Sequence, residues 1–219
     1  QVVFDTEING WEIPAFRGAI IQKAGEKNIL FHNHLGNNTF MYNYPLIQYK
    51  TIGKRPAIIC VDSGVDEIHK YFENQDWSVN ISGRNLDMKI HRLNMNQFTM
   101  QVWDKKWDYG IVNWIALNQE NYRKYLDMES LVEQIAFLEQ VLKGNILSFA
   151  KGIDWEVDKP IEVKIKKINR TRAVKLKGNK VIGFTLDFRT NVFIPNYIGL
   201  GKGTSVGFGM VMSIKDHSK

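Results

Sequence analysis

Up to about residue 95, the sequence changes its hydrophobic period again and again, and this limits the possible folds more than any other feature. Val2 to Ile8 alternates, with Val2, Phe4 and Thr6 set against Val3, Asp5 and Glu7, which predicts a strand ended by Asn9-Gly10. Ile13, Phe16, Ile20 and Ala24 then recur at helical spacing. Pro14 suits the first turn, where its missing N–H costs nothing, and Gly25 suits the residue just past the end. Phe40 to Ile52 reads as a long aromatic strand, turned by Gly53-Lys54-Arg55-Pro56 into a second, Ala57 to Val61. Val65, Ile68 and Phe72 share a helix face, and short strands follow around Gly83.

The order strand, helix, strand, strand, helix, strand is the split βαβ arrangement called ferredoxin-like, with two helices on one face of an antiparallel sheet. The second half repeats it loosely. Tyr109 to Leu117 reads as a strand and Asn118 to Asn145 mainly as helix. Ile161 to Ile168 alternates strictly, Asn169 to Arg172 is expected to turn, Val174 to Lys177 extends again, and Gly178-Asn179 turns into Val181 to Phe188. The expected fold is α+β: two tandem ferredoxin-like (βαββαβ) domains with antiparallel sheets. They are expected at 1–98 and 99–219, without a Pro- or Ser-rich linker between them.

Several classes are excluded. With 44% hydrophobic and 24% charged residues, the 219-residue chain is neither a disordered polymer nor a coiled coil. No run approaches the ~18 apolar residues of a membrane span, and the opening residues do not read as a signal peptide. The single cysteine, Cys60, can form no internal disulfide and no thiolate zinc site. A reducing, cytoplasmic setting is the expectation, with no metal and no cofactor.

Charge is more informative. From Pro160 to Arg189 there are nine basic and two acidic residues, a net +7 in a chain whose total is +6. Lys164, Lys166, Lys167, Arg170, Arg172, Lys175 and Lys177 lie in this window. Such concentration suits a polyanion surface, although a solvated strand face would carry the same residues. Further on, Gly199, Gly201, Gly203, Gly207 and Gly209 punctuate a loop that also holds Lys202. A glycine-rich loop can cradle phosphates with its N–H groups. The pattern is neither a Walker loop nor a dinucleotide fingerprint, and a bulged hairpin would also use these glycines.

The spacing of Gly199, Gly201, Gly207 and Gly209 resembles the C-terminal glycine-rich motif of the CRISPR repeat-processing endoribonucleases, built on paired ferredoxin-like folds. The segments Ile13-Pro14-Ala15-Phe16-Arg17-Gly18, His32-Asn33-His34 and Tyr42-x-Tyr44-Pro45-Leu46-Ile47-Gln48-Tyr49-Lys50 resemble the N-terminal half of one branch. The resemblance implies metal-independent cleavage of CRISPR precursor RNA within its repeat by 2′-hydroxyl attack, leaving a 2′,3′-cyclic phosphate and a 5′-hydroxyl. It also implies repeat RNA as partner, with other surveillance-complex subunits as further candidates, and neither DNA nor membrane. The histidine positions that match are His32 and His34.

The residues support this chemistry on their own terms. A 2′-hydroxyl must lose a proton and the 5′-oxygen must gain one, and histidine does either near neutral pH. Histidines at i and i+2 point the same way in extended chain, and which would be base and which acid stays open. Tyr42 and Lys50 are candidate phosphate contacts, with a sheet role for the tyrosines equally open. Trp103, Trp107 and Trp114 read as packing, and His69, His91 and His217 as structural or solvated. Two other readings remain: a non-catalytic subunit that binds repeat RNA, and a module for a small anion.

Overall fold

The computed structural model describes residues 1–25, 31, 34, 35, 39, 40, 44–72 and 78–214. The chain divides into two compact units. One is Gln1–Gln97 with Ser205–Gly207, and the other is Phe98–Thr204 with the segment beginning at Phe208.

In the first unit, β1 (Val2–Phe4) leads through a 3-10 turn (Gly10–Glu12) into α1 (Ile13–Ala24). Two-residue strands β2 (His34–Leu35) and β3 (Thr39–Phe40) pair with each other, with His34 opposite Phe40. Then come β4 (Ile47–Ile52), β5 (Arg55–Cys60), α2 (Gly64–Phe72), β6 (Ser78–Ile81), β7 (Arg84–Asp87) and β8 (Ile90–Leu93). The main sheet has the order β4-β5-β1-β8, antiparallel throughout, which is the ferredoxin-like order. The hairpin β6-β7 is an addition to it.

The core forms where α1 meets this sheet. The ring of Phe16 lies edge-on to Tyr49 at 5.6 Å and to Phe4 at 5.9 Å. At the start of α1, the buried Glu12 carboxylate accepts from the Asn9 N–H at 2.8 Å and from Arg84. The Asn9 bond, assisted by Arg84, holds its carboxyl below the usual carboxylate range.

The second unit contains β9 (Val102–Trp114), α3 (Gln119–Leu126), α4 (Leu131–Gly152), β10 (Val163–Leu176), β11 (Asn179–Val192) and β12 (Met210–Ser213). Its sheet order, β10-β11-β9-β12, is the same pattern and again antiparallel. Leu138, Leu142, Ile146 and Phe149 of α4 are buried with Tyr109, Ile111, Phe184, Leu186 and Phe188 of the sheet. Residues 193–209, between β11 and β12, hold one 3-10 turn (Thr204–Val206) where a helix would complete the motif. With five glycines and Pro195, this stretch is too poor in helix formers to do otherwise.

Several expectations need correction. Asn169 to Arg172 does not turn. It lies inside β10, with Arg170 opposite Thr185 and Arg172 opposite Gly183. Two register shifts, at Ile165/Lys167 and Ile168/Arg170, absorb the irregular polarity that looked like a turn. The reversal comes at Lys177-Gly178, whose φ values of 48° and 85° suit a two-residue hairpin turn. The helical stretch from Asn118 breaks into two, because Ser130 caps α4 reciprocally with Glu133, each side chain accepting the other's N–H at 3.2 Å. The first strand stops at Phe4, and β4 begins only after Pro45. Among the described residues, no helix is long and apolar enough to cross a membrane.

Candidate nucleic-acid interface

The glycine loop lies in the second unit except for Ser205–Gly207. Its glycines answer to the protein's own atoms. Gly201 has φ 88°, and a Cβ there would lie 2.7 Å from the Trp114 indole and 2.9 Å from the Ile115 carbonyl. Gly209 has φ 63°, and its Cβ would overlap the Leu200 carbonyl oxygen. The backbone therefore passes closer to Trp114 and Leu200 than any side chain allows. A Cβ at Gly203 would meet Leu176 and Phe208 at 2.9 Å, one at Gly207 would meet Ile13 at 2.6 Å, and buried Gly199 bridges Met210.

Several loop N–H groups are spent internally. Leu200 donates to Gly209, Lys202 to Ile115, Phe208 to Gly203 and Gly209 to Asn113, at 2.9–3.3 Å. The Lys202 side chain stays exposed.

Asn113 ties the loop to the basic hairpin. Its backbone is left-handed, at φ 50°. Its side-chain oxygen accepts from Arg172 Nε at 3.0 Å, its carbonyl accepts from Gly209, and its N–H donates to Thr185 Oγ1 at 3.2 Å. Nothing in the sequence reading singled Asn113 out. The available signal was one asparagine inside the apolar run Ile111 to Trp114.

Along β10, Lys164, Lys166, Lys167, Arg170, Arg172, Lys175 and, at its turn, Lys177 are all exposed. β10 is also an edge strand, and a lysine-rich edge resists pairing with other chains. Lys164 lies 3.4 Å from Glu139, whose carboxylate also accepts the Ile165 N–H at 2.8 Å. The basic side chains thus come together on one hairpin, and Arg172 reaches Asn113 beneath the glycine loop.

The first-unit candidates are placed less fully. His32 and Tyr42 lie outside the described residues, and for His34 the backbone alone is described, in β2. The Tyr49 hydroxyl donates to the Phe31 carbonyl, just before His32, at 3.4 Å. Lys50 is fully buried on β4, on the face opposite Tyr49, and its neighbour one pair along, Gln48, donates to Tyr44 Oη at 2.7 Å. Burial lowers the Lys50 pKa from 10.5 to about 7. Among the described residues, no three His, Cys, Asp or Glu side chains gather as a metal-binding group. Burial also lifts the Cys60 thiol to about 12, far from thiolate reactivity.

The family model for the Cas6b N-terminal domain matches residues 1–99, and that for the Cas6b C-terminal domain matches 101–214. The chain belongs to the Cas6b family. Among solved structures it is similar to a Cas6b crystal structure with a TM-score of 0.86 and 29% identity, over 97% of each chain. A second similar structure, a CRISPR RNA processing endoribonuclease Cas6b, has a TM-score of 0.67 and 26% identity over 97% of this chain and 99% of that one. An uncharacterized protein of Methanocaldococcus jannaschii, MJ0978, is 40% identical over 103 residues, 47% of this chain and 69% of the relative. Both halves of the Cas6b pattern are thus present, consistent with the glycine-motif and N-terminal resemblances in the sequence.

Proposed function

We propose that this Cas6b protein is an endoribonuclease that processes CRISPR RNA, cutting precursor transcripts within the repeat. The observation that carries the reading is the Cas6b match over both halves, together with similarity across 97% of the chain to a Cas6b whose described role is CRISPR RNA processing.

In the proposed reaction the ribose 2′-oxygen attacks the adjacent phosphorus and the bond from phosphorus to the 5′-oxygen breaks. One proton leaves the 2′-hydroxyl and one reaches the departing oxygen. The products are a 2′,3′-cyclic phosphate and a 5′-hydroxyl. His32 and His34 supply the proton transfers, the kind of step histidine performs near neutral pH. Lys50 and Tyr42 are the proposed phosphate contacts in the first unit. The burial of Lys50 sets a condition, since a phosphate reaches its ammonium only where the residues above it give way. The β10 lysines and arginines with Lys202 hold the RNA backbone through charge.

Incubation with a repeat RNA in excess EDTA tests the reading. Cleavage should persist and leave a cyclic phosphate, and a 2′-deoxy nucleotide just upstream of the cut should abolish it. Strong cutting of the deoxy substrate would mean a different nucleophile. Tight binding without any cutting would leave a repeat-RNA-binding subunit.

A further inference from the structure

Away from the glycine loop, the second unit carries a row of aromatic rings at the other end of β9. Phe98 lies 5.2 Å from Phe193, Phe193 lies 5.9 Å from Trp107, and Trp107 lies 6.0 Å from Trp103, centroid to centroid. The row is not sealed into the core. Phe98 is 45% exposed, Trp103 is 36% exposed, and Trp107 and Phe193 are half-buried. Contiguous, partly exposed apolar surface of this kind usually marks a binding site.

The backbone here is irregular. Trp107 pairs with Thr190 and Val102 with Val192, so the four residues Trp103 to Lys106 stand opposite Asn191 alone. This wide bulge lifts Trp103 and its neighbours out of the ladder, and bulges re-aim side chains in this way beside functional sites.

The charge of the bulge narrows the choice of occupant. The Lys105 ammonium sits 5.7 Å from the centre of the Trp107 ring. The neighbouring acids are largely committed: Glu162 to Lys106 at 2.6 Å, and Asp108 to Arg189 through two hydrogen bonds. Asp104 is the exposed acid of the bulge. Flat rings interleaved with a cation suit bases joined by phosphates, since every base has a face to stack and every linkage a charge to neutralise.

We propose that Phe98, Phe193, Trp107 and Trp103, with Lys105, form a stacking platform for unpaired bases of single-stranded RNA, apart from the glycine loop and next to the Lys164 end of the basic strand. Trp107 lies seven residues along β9 from Trp114, which underlies the glycine loop. Six residues of β11 separate their partners, Thr190 and Phe184, so at about 3.3 Å per residue Trp107 and Trp114 stand roughly 20 Å apart along the sheet. A single-stranded extension of an RNA held at the loop would supply the unpaired bases for the platform. The choice of RNA as ligand rests on the RNA-processing reading above.

The test compares fluorescein-labelled decauridylate with a blunt-ended repeat hairpin, by anisotropy, on the full chain. Trp103→Ala should weaken decauridylate binding about 5- to 100-fold, the range expected for one lost stacking contact. Hairpin binding should stay within about twofold. Trp103→Phe, which keeps a ring, should lose no more than about threefold, and Lys105→Gln about two- to fivefold. Decauridylate should also quench the wild-type tryptophan emission and quench Trp103→Phe less, with Trp107 supplying the remaining change, a readout that survives even if Trp103→Ala fails to fold. A folded Trp103→Ala that binds decauridylate as the wild type does would overturn the platform alone. So would an equal loss for both probes, or self-association of the wild type that Trp103→Ala abolishes. Wild-type protein that binds neither probe would remove the RNA-processing reading as well.

Discussion

The two units share one strand order and close it differently. In the first, α2 makes the second crossover, both faces of β4 are buried, and a lysine is taken fully inside. In the second, a glycine loop replaces that helix, and the basic residues stay outside on an edge hairpin. Burial pushes the Lys50 pKa down to about 7, whereas the cations of the hairpin face solvent and meet a polyanion directly. The same topology therefore buries a cation in one unit and displays a row of them in the other. In the proposed function the first unit carries the proton transfers and the second holds the charged backbone.

The sharpest way to break this comparison is at Gly209. Gly209→Ala should destabilise the protein by about 3 kcal/mol or more, since a methyl overlaps the Leu200 carbonyl at a left-handed φ. A thermal melt should fall by roughly 6–12 °C. An unchanged melting temperature would mean that the loop relaxes freely, and the steric account of its glycines would go with it.

Next are the histidines. The double variant of His32→Ala and His34→Ala should cleave repeat RNA at least about a hundredfold more slowly, with little change in RNA affinity. Wild-type cleavage would take the chemistry away from this pair, and a parallel loss of affinity would blur the division between units.

Lys50 offers a third test, through pH. Below about pH 7 the residue is protonated in both the folded and unfolded chain, and the full cost of burying the ammonium is present. Between about 7 and the ordinary lysine value of 10.5, the unfolded chain holds a proton that the folded chain has released, so stability from this residue rises with pH. Lys50→Met should remove that rise. Its stability relative to wild type, from urea unfolding at pH 7 and pH 9, should shift by about 2 kcal/mol against the variant. A constant difference across this range would mean that the Lys50 pKa is not lowered.

Two smaller effects sharpen the contrast. Removing one exposed hairpin cation, as in Lys175→Ala, should reduce the salt slope of RNA affinity by about 0.7–0.9 and leave cleavage of bound RNA unchanged. An unchanged slope would mark the hairpin lysines as edge protection only. Gly18→Ala, on the exposed face of α1 with no atom within 4 Å of the new methyl, should stabilise by about 0.5–1 kcal/mol. A loss there would show that α1 is not the plain helix it looks.

The sequence made α1 legible because everything that defines it is local: Pro14, the three-and-four spacing and Gly25. It located the glycine loop without its reason. The atoms that demand a glycine at 201 belong to Trp114 and Ile115, distant in sequence and brought near by the sheet. Asn169 to Arg172 misled because a bulge shows no residue signature of its own, and polar residues inside a strand look like a turn. Lys50 gave no sign of its burial, since alternation assigns a lysine to the wet face unless the second face is also covered. Asn113 escaped notice because its role is to satisfy three other segments.

The assignment of Ser205–Gly207 to the first unit bears on the order in which the protein is assembled. Val206 packs against the first unit's core cluster, and Gly207 sits against Ile13. Synthesis delivers these three residues about a hundred positions after the rest of that unit has emerged. An amino-terminal domain ordinarily folds while the remainder is still being made. Here the first unit has its sheet and core early but keeps part of its apolar surface uncovered until these residues emerge. A chain stalled or cut before Ser205 would leave neither unit finished, because β12, the edge strand beside β9, follows just behind.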